Sequence, residues 1–137
     1  GLFYCCKSVI PMMKEKKDGL IINVSSWSGN HVSLLSGVTY TSSKHALNAM
    51  TETINMKYCS VGIRACALCP GEVATDILDK RPKKLSLEQK KKMLQPDDLG
   101  ETIAFLCQMP KHVCINELTI SPTWHRRYIA DLGIEKL

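Results

Sequence analysis

Leu20-Ile21-Ile22-Asn23-Val24-Ser25-Ser26 is a short apolar run that follows a turn signal, Asp18-Gly19, and ends in small hydroxyl residues. Its length suits a buried strand. Upstream, Phe3, Cys6, Val9, Ile10 and Met13 recur at helical spacing. Residues 1–15 therefore read as an amphipathic helix, with Pro11 as a kink point and Lys14 to Lys17 as cations near its C-terminal end. Downstream, residues 26–38 hold Ser26, Ser28, Gly29, Ser33 and Ser36 and read as loop. Helical periodicity returns over residues 38–58, carried by Ala46, Leu47, Met50, Ile54 and Met56. Ile63-Arg64-Ala65-Cys66-Ala67-Leu68 is a second strand, halted by Pro70-Gly71. Residues 72–95 are polar and basic, with a short helix expected from Ser86. Pro96-Asp97-Asp98 opens a further helix that ends near Met109-Pro110, with acidic residues in its first turn. Asn116-Glu117-Leu118-Thr119-Ile120 is a last short strand, and the tail after Pro122 reads as irregular. The order α-β-α-β-α-β argues for an α/β fold with parallel strands joined by right-handed crossovers. Three strands make a thin sheet, one half of a doubly wound fold.

The 137 residues are 45% hydrophobic and 23% charged, the composition of one globular domain. No apolar run is long enough for a membrane span. A chain of this length is very short to hold both a full dinucleotide domain and a catalytic site. The net charge of +5 has a local origin: Lys80, Arg81, Lys83, Lys84, Lys90, Lys91 and Lys92 against Glu88 give +6, and the rest of the chain sums to −1. No aromatic residue interleaves this run, so a solvated loop is the first reading, anion recognition the second, and nucleic acid is not an expected partner.

The seven cysteines, at 5, 6, 59, 66, 69, 107 and 114, are odd in number and lie mostly in apolar segments, which fits reduced thiols in a cytoplasmic protein. Cys66-Ala67-Leu68-Cys69 is a CxxC, yet it sits in a strand, where residues three apart face opposite sides. No second CxxC or paired His accompanies it, and His31, His45, His112 and His125 are scattered, so no metal site is expected. Asn23-Val24-Ser25 matches a glycosylation sequon but lies within the first strand. Trp27 and Leu34-Leu35 could line an apolar wall or belong to the core.

Tyr40 and Lys44 are four residues apart at the start of the second helix and project from one face. A phenol, with a pKa near ~10, exchanges protons poorly at neutral pH. A nearby ammonium favours the phenolate and makes the pair a credible acid/base unit. In a parallel sheet the C-terminal ends of strands form the ligand crevice. Ser26, the Tyr40/Lys44 pair and the turn Pro70-Gly71-Glu72-Val73-Ala74-Thr75 should share that edge.

These ordered motifs resemble the short-chain dehydrogenase/reductase family over residues 1–122. Ser26 stands fourteen residues before Tyr40, Tyr40 and Lys44 form the YxxxK, and Pro70, Gly71, Val73 and Thr75 form the PGxVxT turn. The stretch from Leu94 to Glu117 resembles the family's closing helix and strand. The resemblance implies a Rossmann-like doubly wound parallel sheet seen as its C-terminal half. It also implies an NAD(P)-dependent oxidoreductase that transfers hydride between nicotinamide and a carbonyl or alcohol substrate. Tyr40 would be the general acid/base, and Ser26, with Ser25 as runner-up, would hold the substrate oxygen. Lys44 would lower the Tyr40 pKa and bind the nicotinamide ribose. The backbone of Pro70, Gly71 and Val73, with Thr75, would contact the nicotinamide end. The implied cofactor is NAD or NADP, with NADP preferred. Residues 76–95 would be the substrate loop and 123–137 a C-terminal tail. Helices 1–15 and 38–58 would pair in a homodimer or homotetramer.

The pattern also departs from the family. The eight glycines, at 1, 19, 29, 37, 62, 71, 100 and 133, are never closer than eight positions, so no phosphate-cradling glycine fingerprint is present. The uncapped helical start at Gly1 is expected to be cut from a longer chain whose first half holds that fingerprint and the family's catalytic Asn. The alternative is a truncated, catalytically silent chain that acts only as an oligomerisation partner.

Overall fold

A computed structural model describes residues 1–32, 34–80 and 84–133. Ser33 of the expected loop, Arg81 and Lys83 of the basic segment, and the last four residues of the tail lie outside the described residues.

Helix α1 (Leu2–Lys16) runs unbroken through Pro11 and ends on Lys17, whose φ of 52° is left-handed. The Lys17 and Asp18 amides return to the carbonyls of Lys14 and Met13, closing the helix so that strand β1 (Gly19–Val24) can begin at once. After a 3₁₀ turn at Trp27–Gly29 comes helix α2 (Gly37–Tyr58). A second 3₁₀ turn at Cys59–Val61 leads to Gly62, with φ 78°, and strand β2 (Ile63–Pro70). Gly62 is demanded twice over: its φ is left-handed, and a Cβ there would strike the Lys17 carbonyl.

The sheet order is β1-β2-β3, all parallel, with β3 at Glu117–Ile120. This is the α/β crossover arrangement expected from the alternation. β2 is the central strand, and six of its eight residues, Ala65 to Pro70, form an uninterrupted buried run. On one sheet face Ile21, Ile63 and Ala65 pack with Cys6 of α1 and Ile54 of α2. Leu2, Val9, Ile10, Met13 and Met50 extend that core, while Phe3 and Met56 of the two periodic sets stay exposed.

β3 pairs with β2 only from Ala67 onward. The backbone of the fully buried Ala65 is satisfied by Asn55 of α2, which accepts from the Ala65 amide at 2.6 Å and donates to its carbonyl at 2.7 Å. The side-chain amide thus stands in for a missing strand residue. Arg64 Nη1 donates to the carbonyls of Met109, Pro110 and Val113, which tethers the chain after the helix at Pro96–Gln108 to the sheet.

Between β2 and β3, the polar stretch contains a 3₁₀ turn at Asp76–Lys80, short helix α3 (Leu87–Lys91) and helix α4 (Pro96–Gln108). Ser86 caps α3 in a reciprocal box with Gln89, so the expected helix starts where the Ser indicated. The tail differs from expectation: Arg126–Asp131 form helix α5, whose Ile129 is buried and whose preceding His125 is buried too. Six residues are too few to display a periodicity, and the helix owes its place to what it packs on. No helix among the described residues is long and apolar enough to cross a membrane.

Candidate active site

The C-terminal ends of β1 and β2 lie side by side, with Val24 in register with Leu68, and the Ser25 amide donating to the Leu68 carbonyl at 2.7 Å. The chain then turns sharply. Ser26 Oγ accepts from the Ser28 amide at 3.2 Å and so caps the 3₁₀ turn. Gly29 closes this turn against α2. A Cβ there would come within 2.7 Å of both Ser25 Oγ and Asn48 Nδ2, so a side chain would push the loop off the helix.

Helix α2 is fastened to the end of β1 from both directions. Ser25 Oγ donates to the Lys44 carbonyl at 3.5 Å, and Lys44 Nζ donates to the Val24 carbonyl at 3.1 Å. Tyr40 sits one turn before Lys44, 46% exposed, with the ammonium 5.6 Å from its ring centroid. Its carbonyl accepts from Ser43 Oγ at 2.7 Å. Thr41, next to Tyr40, is buried with no hydrogen-bond partner for its hydroxyl among the described residues. Ser25, the runner-up to Ser26, is buried and committed to α2, whereas Ser26 is only partly covered.

The turn after β2 stands at the same edge. Pro70 is buried as the last strand residue, and the Gly71 amide donates to the Ile120 carbonyl at 2.7 Å. Val73 pairs with Leu94 in an isolated parallel bridge, closed by Leu94 amide to Glu72 carbonyl at 3.1 Å and Ala74 amide to Leu94 carbonyl at 2.7 Å. Thr75 is exposed and its carbonyl accepts from Leu78. The expected substrate loop therefore leaves and re-enters the molecule at one pinned base. Within it Lys90 pairs with Asp79 at 2.6 Å and Lys92 with Glu88 at 3.1 Å, so part of the basic run is locally compensated.

A second cluster at this edge carries no sequence signal. Arg126 of α5 binds both carboxylate oxygens of Glu72 in the turn. Trp27, the residue after Ser26, is buried between tail and loop: His31 stacks on it at 3.9 Å, His125 lies at 5.0 Å, and Arg127 is over its ring at 5.1 Å. Trp27 is thus packed beneath the tail, while Leu34 and Leu35 are exposed. Two of the four histidines that look scattered in sequence meet on one indole.

Cys66 and Cys69 are buried in β2. Burial pushes the Cys66 thiol up to about 11 and raises that of Cys69, the reverse of the activation a redox dithiol needs. Asn23 of the sequon is buried and donates to Thr51 Oγ1 at 2.8 Å. Among the described residues no group of three His, Cys, Asp or Glu side chains could hold a metal ion.

The sequence is 30% identical over 122 residues to an uncharacterised oxidoreductase of Staphylococcus aureus (strain MRSA252), covering 89% of this chain and 50% of that protein. A Staphylococcus saprophyticus uncharacterised oxidoreductase is 31% identical over the same span. The chain spans about half the length of the curated relatives it matches. Among solved structures, a β-ketoacyl-[ACP] reductase from Bacteroides thetaiotaomicron superposes with a TM-score of 0.69 at 34% identity, covering 91% of this chain and 48% of that one. An alcohol dehydrogenase from Thermococcus sibiricus, complexed with 5-hydroxy-NADP, gives 0.72 at 26% identity, covering 88% and 48%. Residues 1–86 match the family described as short chain dehydrogenase, and with the half Rossmann-like sheet this establishes that the chain belongs to the short-chain dehydrogenase family.

Proposed function

We propose that this chain carries the proton-transfer half of an NAD(P)-dependent dehydrogenase or reductase acting on a small carbonyl or alcohol. The observation that carries the reading is the double fastening of α2 to the end of β1, which holds Lys44 beside Tyr40 at the edge where Ser26 and the Pro70–Thr75 turn emerge. In this reading Tyr40 gives its phenolic proton to the substrate oxygen during reduction and takes it back during oxidation. Ser26 donates a hydrogen bond to the same oxygen and fixes its position. Lys44 stabilises the phenolate. Its hydrogen bond to the Val24 carbonyl leaves two ammonium protons to direct at a ribose hydroxyl and the Tyr40 side.

The residues present fit one end of a dinucleotide. An exposed Thr75, the pinned backbone of Pro70, Gly71 and Val73, and Lys44 suit a nicotinamide and its ribose. The dispersed glycines offer no cradle for the pyrophosphate. When bound, the nicotinamide supplies or accepts the hydride. NADP is the preferred cofactor in this proposal, supported by the basic segment and by the NADP-type complex of the Thermococcus relative. A cytoplasmic location belongs to the same proposal, on the reduced-thiol reading of the cysteines.

Phe3, Tyr4 and Met12 of α1 and Val38 and Met56 of α2 are exposed, which favours pairing with another subunit in a homodimer or homotetramer. The same residues support the second reading, a catalytically silent chain that acts as an oligomerisation partner. The two readings separate in a chimaera that places the N-terminal half of the Bacteroides reductase before Gly1. The first reading expects NAD(P)H-dependent carbonyl reduction that is lost in Tyr40→Phe. The second expects a folded oligomer with no turnover.

A further inference from the structure

We infer that the C-terminal segment from His125 to Asp131 is an acid-released strap, seated over the strand-end edge at neutral pH and freed when His125 takes up a proton. The seat has three parts. Arg126 holds Glu72 of the turn by a two-pronged ion pair. Arg127 covers the Trp27 ring at 5.1 Å. His125 is wedged between Trp27 at 5.0 Å and Tyr128 at 4.4 Å, only 7% exposed, with its buried Nδ1 finding no hydrogen-bond partner among the described residues.

A neutral imidazole tolerates this place better than a charged one. Protonation adds a donor at a nitrogen that has no acceptor, and it buries the charge between aromatic rings. The charged groups facing it come from every element around it. Arg126 and Arg127 on its own helix and His31 after the 3₁₀ turn oppose a further positive charge. Glu72 on the turn favours one, but its carboxylate is already engaged by Arg126. Burial is the leading cause and sets the direction: the His125 pKa is held below the ordinary 6.5. With the seated pKa below the released one, the histidine leaves seating untouched above about pH 6.5 and opposes it as pH falls through that value toward the seated pKa. Release breaks the ion pair between Arg126 and Glu72 of the Pro70–Thr75 turn, which keeps its backbone hydrogen bonds to Ile120 and Leu94.

The test is amide hydrogen exchange of this 137-residue chain from about pH 7.5 to about pH 5, corrected for intrinsic exchange. Peptides covering residues 124–132 should lose protection on acidification while β2 keeps its own. His125→Phe should keep the strap protected throughout, and His31→Gln should leave the acid transition in place. NMR titration of the unsubstituted chain needs no variant, and the His125 ring resonance should titrate below the value of an exposed histidine. Equal strap protection at both ends of the range, a transition that persists in His125→Phe, one that disappears in His31→Gln, or a His125 midpoint at or above about 6.5 overturns the inference. None of these readouts depends on turnover, so a failure here is distinct from a failure of the proposed enzymatic role.

Discussion

Lys44 reaches from α2 to the carbonyl of Val24, the last residue of β1, at 3.1 Å. One turn earlier on the same helix stands Tyr40, with that ammonium 5.6 Å from its ring centre. A single side chain therefore ties the helix to the strand end and sets a positive charge beside the phenol. Replacing Lys44 by Met keeps the stem and removes both effects. In the chimaera with the Bacteroides N-terminal half, Lys44→Met should lower kcat/KM and weaken cofactor binding, read from steady-state turnover and from nucleotide titration. Unchanged kcat/KM and nucleotide affinity contradict the role given to Lys44.

The Glu72–Arg126 pair couples residues 54 positions apart, and its side chains are 25% and 37% exposed. Solvent screening lowers its worth from that of a buried charged pair. A double-mutant cycle of Glu72→Gln and Arg126→Met, followed by urea unfolding, should give a coupling of about 1 kcal/mol. A coupling indistinguishable from zero means the strap is held by its aromatic contacts alone.

Asn55 should be among the costliest polar residues to truncate. Asn55→Ala leaves the amide of a fully buried Ala65 without its partner and its carbonyl with only the Cys114 thiol at 3.6 Å, an expected loss of about 1–3 kcal/mol. Asn55→Asp keeps the acceptor for the amide but turns an oxygen toward the Ala65 carbonyl, so it should not restore stability. Urea midpoints of the two variants decide this, and a near-neutral Asn55→Ala counts against the clamp.

Two glycines share a left-handed φ and differ in surroundings. Gly37, at φ 71°, has none of the described residues within 4 Å of an added Cβ, so Gly37→Ala should cost about 1–2 kcal/mol from backbone strain. At Gly62 the same Cβ meets the Lys17 carbonyl, and Gly62→Ala should cost more, about 3 kcal/mol. Thermal unfolding of both variants should rank them in that order.

The sheet and the YxxxK edge were legible because their signals are local. Period and length separate the apolar runs into helices and strands, Ser86 announces α3, and Tyr40 and Lys44 share a face by helical geometry alone. The strap was not legible. Its helix is six residues long, its anchor Glu72 lies on a distant turn, and nothing in the spacing of His31 and His125 shows that both meet Trp27. Asn55 was invisible for a related reason: its partner is backbone, exposed only because β3 begins two residues further along β2 than Ala65. The expectation of an irregular tail failed because burial by tertiary contacts gave structure to a segment with no pattern of its own.

In the proposed reaction Tyr40 transfers the proton. The most direct test of that role is the turnover of Tyr40→Phe against the unsubstituted sequence in the chimaera, with nucleotide affinity measured alongside. In Tyr40→Phe kcat should fall by about 10²–10⁴-fold while cofactor affinity is largely kept. Turnover retained in Tyr40→Phe, or a folded chimaera that reduces no carbonyl with either NADH or NADPH before any substitution, would contradict that role.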